Sequence, residues 1–220
     1  MPDKKSFYPV YDAKQSVQNR KPRALDDLNF SYLHFREKQC LTVDYNLNDK
    51  NNLNIFVVFR ILDVPGGTIN GIFGNDNSKH VSSRYDRFID LAKISAIKKV
   101  LRIGYGGGYE QISSFPDKAS PVTLDCSLLS VHYNTVQVDD SLIYCNGKYI
   151  ANFTSQSNTG GQNTFSIGSI SSDSSRYDSE KHIPYFSLHH GRFSVKYILI
   201  MHKYLCERYR IDHHPITIPQ

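Results

Sequence analysis

The stretch Leu142-Ile143-Tyr144-Cys145-Asn146-Gly147-Lys148-Tyr149-Ile150 decides the fold. At its centre, Asn146-Gly147 is a strong hairpin signal, because a type I′ turn holds both central residues at positive φ. Beyond the turn, Tyr149, Ala151 and Phe153 alternate with Ile150, Asn152 and Thr154, the period of two that a strand imposes on its side chains. Upstream, Leu129, Val131 and Tyr133 alternate with Ser130 and His132; downstream, Phe165 and Ile167 alternate with Thr164 and Ser166. Together these segments predict an antiparallel meander with one dry and one wet face, and hence an all-β, two-sheet antiparallel sandwich.

At 220 residues and 25.2 kDa the chain is long enough to bury a full core in one all-β domain. Hydrophobic residues at 40% and charged residues at 21% exclude global disorder. The longest apolar runs, Ile55 to Phe59 and Tyr197 to Met201, are too short to cross a bilayer. The opening Met-Pro-Asp-Lys-Lys lacks the apolar segment of a secretory signal. No membrane insertion is therefore expected, and an extracellular or virion setting would apply to a processed fragment or a viral component.

The net charge of +5 is dispersed. In the N-terminal arm Lys4, Lys5, Lys14, Arg20, Lys21 and Arg23 are offset by Asp3, Asp12, Asp26 and Asp27. This is not the basic stripe that a nucleic-acid partner requires. Cys40, Cys126, Cys145 and Cys206 show no C-x-x-C spacing, which argues against zinc. Cys145 shares a strand face with Ile143 and Cys206 the apolar side of a helix, so both read as small buried hydrophobes.

Residues 1–27 are polar and carry Pro2, Pro9 and Pro22, which predicts an extended N-terminal arm. Strands are expected over 29–35, 40–45, 53–62, 68–73, 87–92, 99–105, 111–115 and 185–188. The segment 53–62 is apolar on both faces, as in a central strand covered on each side. Val195 to Arg208 reads as a helix with Ser194 as N-cap. Val195, Ile198, Leu199, His202, Leu205, Cys206 and Tyr209 fall on one amphipathic face of it. The domain is placed at 28–211, with the C-terminal helix at 195–209 and a tail at 212–220.

The strand Ser127 to Tyr133, the Asn146-Gly147-Lys148 hairpin, the strand ending Phe165-Ser166-Ile167-Gly168 and the closing helix Lys196 to Tyr209 occur in one order. In that order they resemble the concanavalin A-like, laminin-G-like superfamily of jelly-roll domains, over roughly residues 28 to 211. The resemblance rests on turn and core residues. It implies a lectin-like jelly-roll sandwich whose ligand site, if it has one, lies on the concave face or the rim loops. It also implies a calcium site built from loop oxygens, for which Asp76, Asp139, Asp140 and Asp173 are the candidates.

Gly104-Tyr105-Gly106-Gly107-Gly108-Tyr109 has the glycine density of a phosphate loop, but the following Glu110 to Phe115 alternates like a strand. The glycines are therefore expected to close a hairpin. Cleavage of β-glucans on a similar scaffold uses carboxylates alternating along one strand. Glu37, Glu110, Glu180 and Glu207 do not have that spacing. A lyase would need a cluster such as Tyr105, Tyr109, Gln111 and His132, without its flanking motifs. The pairs His189-His190 and His213-His214 place neighbours on opposite sides of a strand, a poor chelate. Tyrosine is abundant, at 15, and tryptophan is absent. Asn75, Asp76, Tyr105, Tyr109, Arg176 and Tyr177 are the loop positions whose chemistry suits a ligand.

The sequence thus predicts a non-catalytic binding or adhesion module for a glycan or a protein surface. A structural assembly component, held through its terminal arms, is the alternative, and a polysaccharide hydrolase or lyase the third reading.

Overall fold

A computed structural model of the chain describes residues 13–14, 16, 21–26, 31–36, 38–48, 50–62, 69–75, 87–93, 99–105, 109–112, 124–134, 141–154, 161–170, 180–213 and 215–219. Among these residues the strands are β1 (Ala13–Lys14), β2 (Arg23–Asp26), β3 (Ser31–Phe35), β4 (Leu41–Val43), β5 (Asn52–Ile61), β6 (Ile69–Gly74) and β7 (Arg87–Lys93). They continue as β8 (Lys99–Tyr105), β9 (Tyr109–Ile112), β10 (Leu124–Asn134), β11 (Ser141–Cys145), β12 (Lys148–Phe153), β13 (Phe165–Ile167) and β14 (Lys181–His190), followed by a helix, α1 (Val195–Tyr209). The strands form two antiparallel sheets, ordered β1-β4-β13-β6-β7-β8-β9 and β12-β11-β10-β5-β14-β3-β2. This is the antiparallel two-sheet sandwich that the alternating segments predict.

β5 shows why the second sheet is central. Leu53, Ile55, Val57, Phe59 and Ile61 face inward with Leu129, Val131 and Tyr133 of β10, against Phe73, Ile89, Leu101 and Ile103 of the first sheet. Phe56 and Val58 face the other way and pack with Leu128 beneath Leu205, Cys206 and Tyr209 of α1. Both faces of this strand are covered, so its sequence is apolar throughout. Each large side chain buried in this way contributes about 1.5–3 kcal/mol. The helix begins as expected: Ser194 is extended at φ −72° and ψ 151°, and its hydroxyl accepts the Tyr197 amide. It ends on Arg210 in the left-handed region, whose N–H reaches the Cys206 and Glu207 carbonyls.

The expected wet face of the meander is not wet. Ser130 and His132 are buried, because α1 lies over that side of β10. The hairpin turn does form, with Asn146 at φ 46° and Gly147 at φ 80°. Beyond it the alternation slips. Ile143 pairs with Ala151 but Tyr144 with Tyr149, leaving Ile150 as an inserted residue. One extra residue moves a side chain to the opposite face. Tyr149 therefore stands on the outer side, 5.7 Å from the Tyr144 ring, while Ala151 and Phe153 stay with the inner core.

β14 is longer than the expected 185–188. Pro184 interrupts the pattern but sits where the register shifts between His182 and Tyr185, the kind of irregularity that tolerates a residue without an N–H. Within residues 1–27, β1 pairs with β4 and β2 with β3, adding a short edge strand to each sheet. β8 and β9 pair antiparallel with Gly104 opposite Tyr109, and Gly106 to Gly108 between them lie outside the described residues. Cys40, Cys145 and Cys206 are buried. Among the described residues no helix is long and apolar enough to cross a membrane.

Candidate functional site

Beneath α1 a line of polar groups crosses the outer face of the second sheet. The Gly147 N–H donates to His202 Nδ1 at 3.1 Å. His202 Nε2 lies 2.6 Å from Ser130 Oγ, and His132 Nε2 lies 2.9 Å from the same oxygen. His132 Nδ1 is 3.0 Å from Asn54 Oδ1, and the Asn54 amide donates to the Gly191 carbonyl. The two ends fix every proton between them. Because Gly147 is a donor, His202 Nδ1 accepts and its Nε2–H donates to Ser130. Because the Asn54 amide faces a carbonyl, Asn54 Oδ1 accepts, so His132 carries its proton on Nδ1. Ser130 then donates to His132 Nε2, and each bond has one donor and one acceptor.

Both imidazoles are neutral in this arrangement. A second proton on either would set two donors against each other. Burial pushes His202 down to about 3, and burial together with the nearby His202 pushes His132 down to about 3. The Ser130–His202 contact has the separation of a nucleophile and its base. Ser130 is fully buried, however, and both of its hydrogen-bond directions are used within the fold. The chain of bonds positions elements: it ties the β11–β12 hairpin through α1 and β10 to the Gly191 turn.

At the Gly191 end the line opens into a cavity of about 430 Å³, a size suited to a small ligand. Asn54 and His132 form part of its wall, with Asn52 and Leu142 at the starts of β5 and β11 and the turn Gly191–Ser194 leading into α1. The cavity thus lies at one rim of the second sheet. Asn52 Oδ1 is buried and has no hydrogen-bond partner. The Ser194 hydroxyl accepts the Tyr197 amide at 3.2 Å, which leaves its proton to donate. Phe193, Val195 and Ile198 supply apolar wall. No acidic residue stands in the first turn of α1 to offset its positive end.

Of the ligand positions expected from sequence, Asp76, Arg176 and Tyr177 lie outside the described residues, as do the calcium candidates Asp139, Asp140 and Asp173. The backbones of Tyr105 and Tyr109 pair with Arg87 and Gly104. Asn75 is fully buried. Its Oδ1 accepts the Arg87 N–H at 3.1 Å and its amide donates to Asn48 Oδ1 at 2.9 Å, so it joins elements within the fold. Of the histidine pairs, His189 packs on Phe56 and Phe193, where burial lowers its pKa, and His190 is exposed. Among the described residues no cluster of three or more His, Cys, Asp and Glu is placed to hold a metal. Sequence reasoning did not single out Asn52, Asn54 or Ser130 as site residues, and it read Ser194 only as the helix N-cap. The available signal was His202 on an otherwise apolar helix stripe, matched to Ser130 and His132 on one strand face.

Neither a protein-family profile nor a curated protein matches the chain. Solved structures do. The botulinum neurotoxin serotype G binding domain has a TM-score of 0.58 at 9% identity, covering 92% of this chain and 48% of that one. The binding domain of Paraclostridial Mosquitocidal Protein 1 has a TM-score of 0.58 at 13% identity, covering 89% and 47%. A structure of botulinum neurotoxin type C, whose passage into cells depends on interaction with two ganglioside molecules, has a TM-score of 0.53 at 15% identity, covering 84% and 45%. At these identities the likeness is one of fold, a β-sandwich shared with toxin binding domains. The chain spans about half the length of the structures it matches.

Proposed function

We propose that the chain is a non-catalytic binding module, a lectin-like jelly roll of the concanavalin A-like, laminin-G-like kind, that engages a glycan or a protein surface at its rim. The observation that carries this reading is the cavity beside Gly191–Ser194. It offers an unpaired acceptor in Asn52 Oδ1, a donor in the Ser194 hydroxyl and an apolar wall in Phe193. Sugars present hydroxyls beside C–H faces, and fixed polar groups next to an aromatic ring meet both. Among similar structures, one toxin binding domain is in complex with SialylT and another with rat synaptotagmin II, which supports a glycan or protein class of partner. An extracellular setting fits such a module. The commitment of Ser130, His132 and His202 to internal hydrogen bonds supports binding over catalysis.

The test is a thermal-shift screen of the chain against a glycan panel, run with calcium and with EDTA. Tight binding raises the melting temperature by linkage. The expected result is a rise with one class of sugar that Asn52→Ala and Arg192→Ala each diminish. Absence of any response, combined with silence on a glycan array, removes the glycan reading. A calcium-dependent rise directs the next substitutions to Asp76, Asp139, Asp140 and Asp173.

A further inference from the structure

A helix packed on a sheet normally turns its polar side to water. The outer side of α1 does not. Three of the six exposed large hydrophobic side chains among the described residues stand there, Tyr197, Ile200 and Tyr204, from 41% to 54% exposed. Tyr197, Ile200 and Tyr204 stand at i, i+3 and i+7, which aligns them in one stripe. That stripe lies opposite the buried Ile198, His202, Leu205, Cys206 and Tyr209. Helical geometry puts Lys196 and Lys203 along one border of it and Arg208 along the other.

The charge around the stripe is predominantly positive. From residue 192 to residue 210 the charged side chains are Arg192, Lys196, Lys203, Arg208 and Arg210, against Glu207 alone. The hairpin that is hydrogen-bonded to His202 adds Lys148 and Tyr149, both exposed, beside the helix. Because the opposite face of α1 is fixed to the sheet, this surface is rigid and needs no ordering to meet a partner.

We propose that the outward face of α1 is a docking surface for an anionic lipid bilayer, the helix lying in the interfacial plane without spanning it. Amphipathic tyrosine rings with isoleucine, bordered by lysine and arginine, have the composition of an interfacial face. The stripe reaches the boundary of the acyl chains while the flanking cations pair with anionic headgroups. Charge selects this occupant over a second copy of the chain, because two such faces would press their basic borders together. The inference stands apart from the rim cavity, because Lys196, Tyr197, Ile200, Lys203 and Tyr204 do not line it.

The experiment is cosedimentation of the full chain with phosphatidylcholine vesicles and with vesicles of phosphatidylcholine mixed with phosphatidylserine. Binding is expected to the mixed vesicles, weakening as salt rises. Ile200→Ser with Tyr204→Ser is expected to lower the partition coefficient by roughly tenfold, and Lys196→Glu with Lys203→Glu by at least as much. Their melting temperatures should stay near that of the parent, because the substituted side chains are exposed. No binding to mixed vesicles, or equal binding by parent and both variants, overturns the proposal. So does sedimentation equilibrium showing a dimer that Tyr204→Ser dissolves, since the stripe would then be a protein interface.

Discussion

The two faces of β5 are buried by different means. On the inner face Ile55, Val57 and Phe59 meet the other sheet in an apolar layer. Its polar guests are cations held by carbonyl oxygens: Lys181 Nζ donates to Gly71 O and Gly168 O at 2.7 Å each, and Arg87 donates to the carbonyls of Leu47 and Lys50. On the outer face a small apolar cluster shares the interface with the directed line from Gly147 to Gly191. Apolar contact depends on volume and hardly on direction, whereas a hydrogen-bonded line is correct in one register only. The inner face thus supplies most of the stability, and the outer face fixes where the helix, the hairpin and the rim cavity sit.

Acidification is the strongest way to separate the two faces. His132 and His202 have folded values near 3 against an ordinary 6.5, so the unfolded chain binds protons more readily below pH 6.5. Stability that is whole above that value is lost as pH falls toward 3, on the order of 5 kcal/mol for each histidine. Asp90, buried against Arg102, runs the other way. Burial raises it to about 6, so the folded state keeps its proton and gains stability between pH 6 and the ordinary aspartate value of 3.8. The decline should therefore steepen below about pH 4, as urea midpoints across pH would record. A flat midpoint from pH 7 to 3 would mean that the histidines are not buried neutral.

Phe59→Ala, on the inner face, is expected to cost about 3–5 kcal/mol through lost burial and a residual cavity. Urea unfolding measures it. Ser130→Ala removes few atoms but leaves His202 Nε2–H and His132 Nε2 without partners, at an expected cost of about 2–3 kcal/mol. A loss below half a kcal/mol would show that the outer line is not the fastener described. The smallest effect is that of Ser194→Ala, which removes the N-cap for about 1 kcal/mol by thermal unfolding.

The inner face was legible because alternation reports it directly. Leu129, Val131 and Tyr133 declare one side of β10, and the doubly apolar β5 announces cover on both sides. The helix was legible through its stripe and its N-cap. Tyr149 was not, since no local signal marks Ile150 as the inserted residue; the register comes from pairing with β11. The cavity was hidden for a related reason. Asn52 and Asn54 come from β5, His132 from β10 and Ser194 from the turn before α1, and only the fold brings them together. Asn75 looked like a loop ligand because asparagine is common in turns, yet its amide is consumed by Arg87 and Asn48.

The central claim, that the outer face and its rim carry the binding function, is tested most directly by mapping amide chemical shifts on ¹⁵N-labelled protein. The titrant is the sugar that gives the largest rise in melting temperature. The account predicts perturbations clustered at Asn52, Asn54 and Gly191 to Val195, with His132 responding beside them. Perturbations confined to the first sheet, or to the opposite end of the second sheet around Ile61 and Lys181, would contradict it.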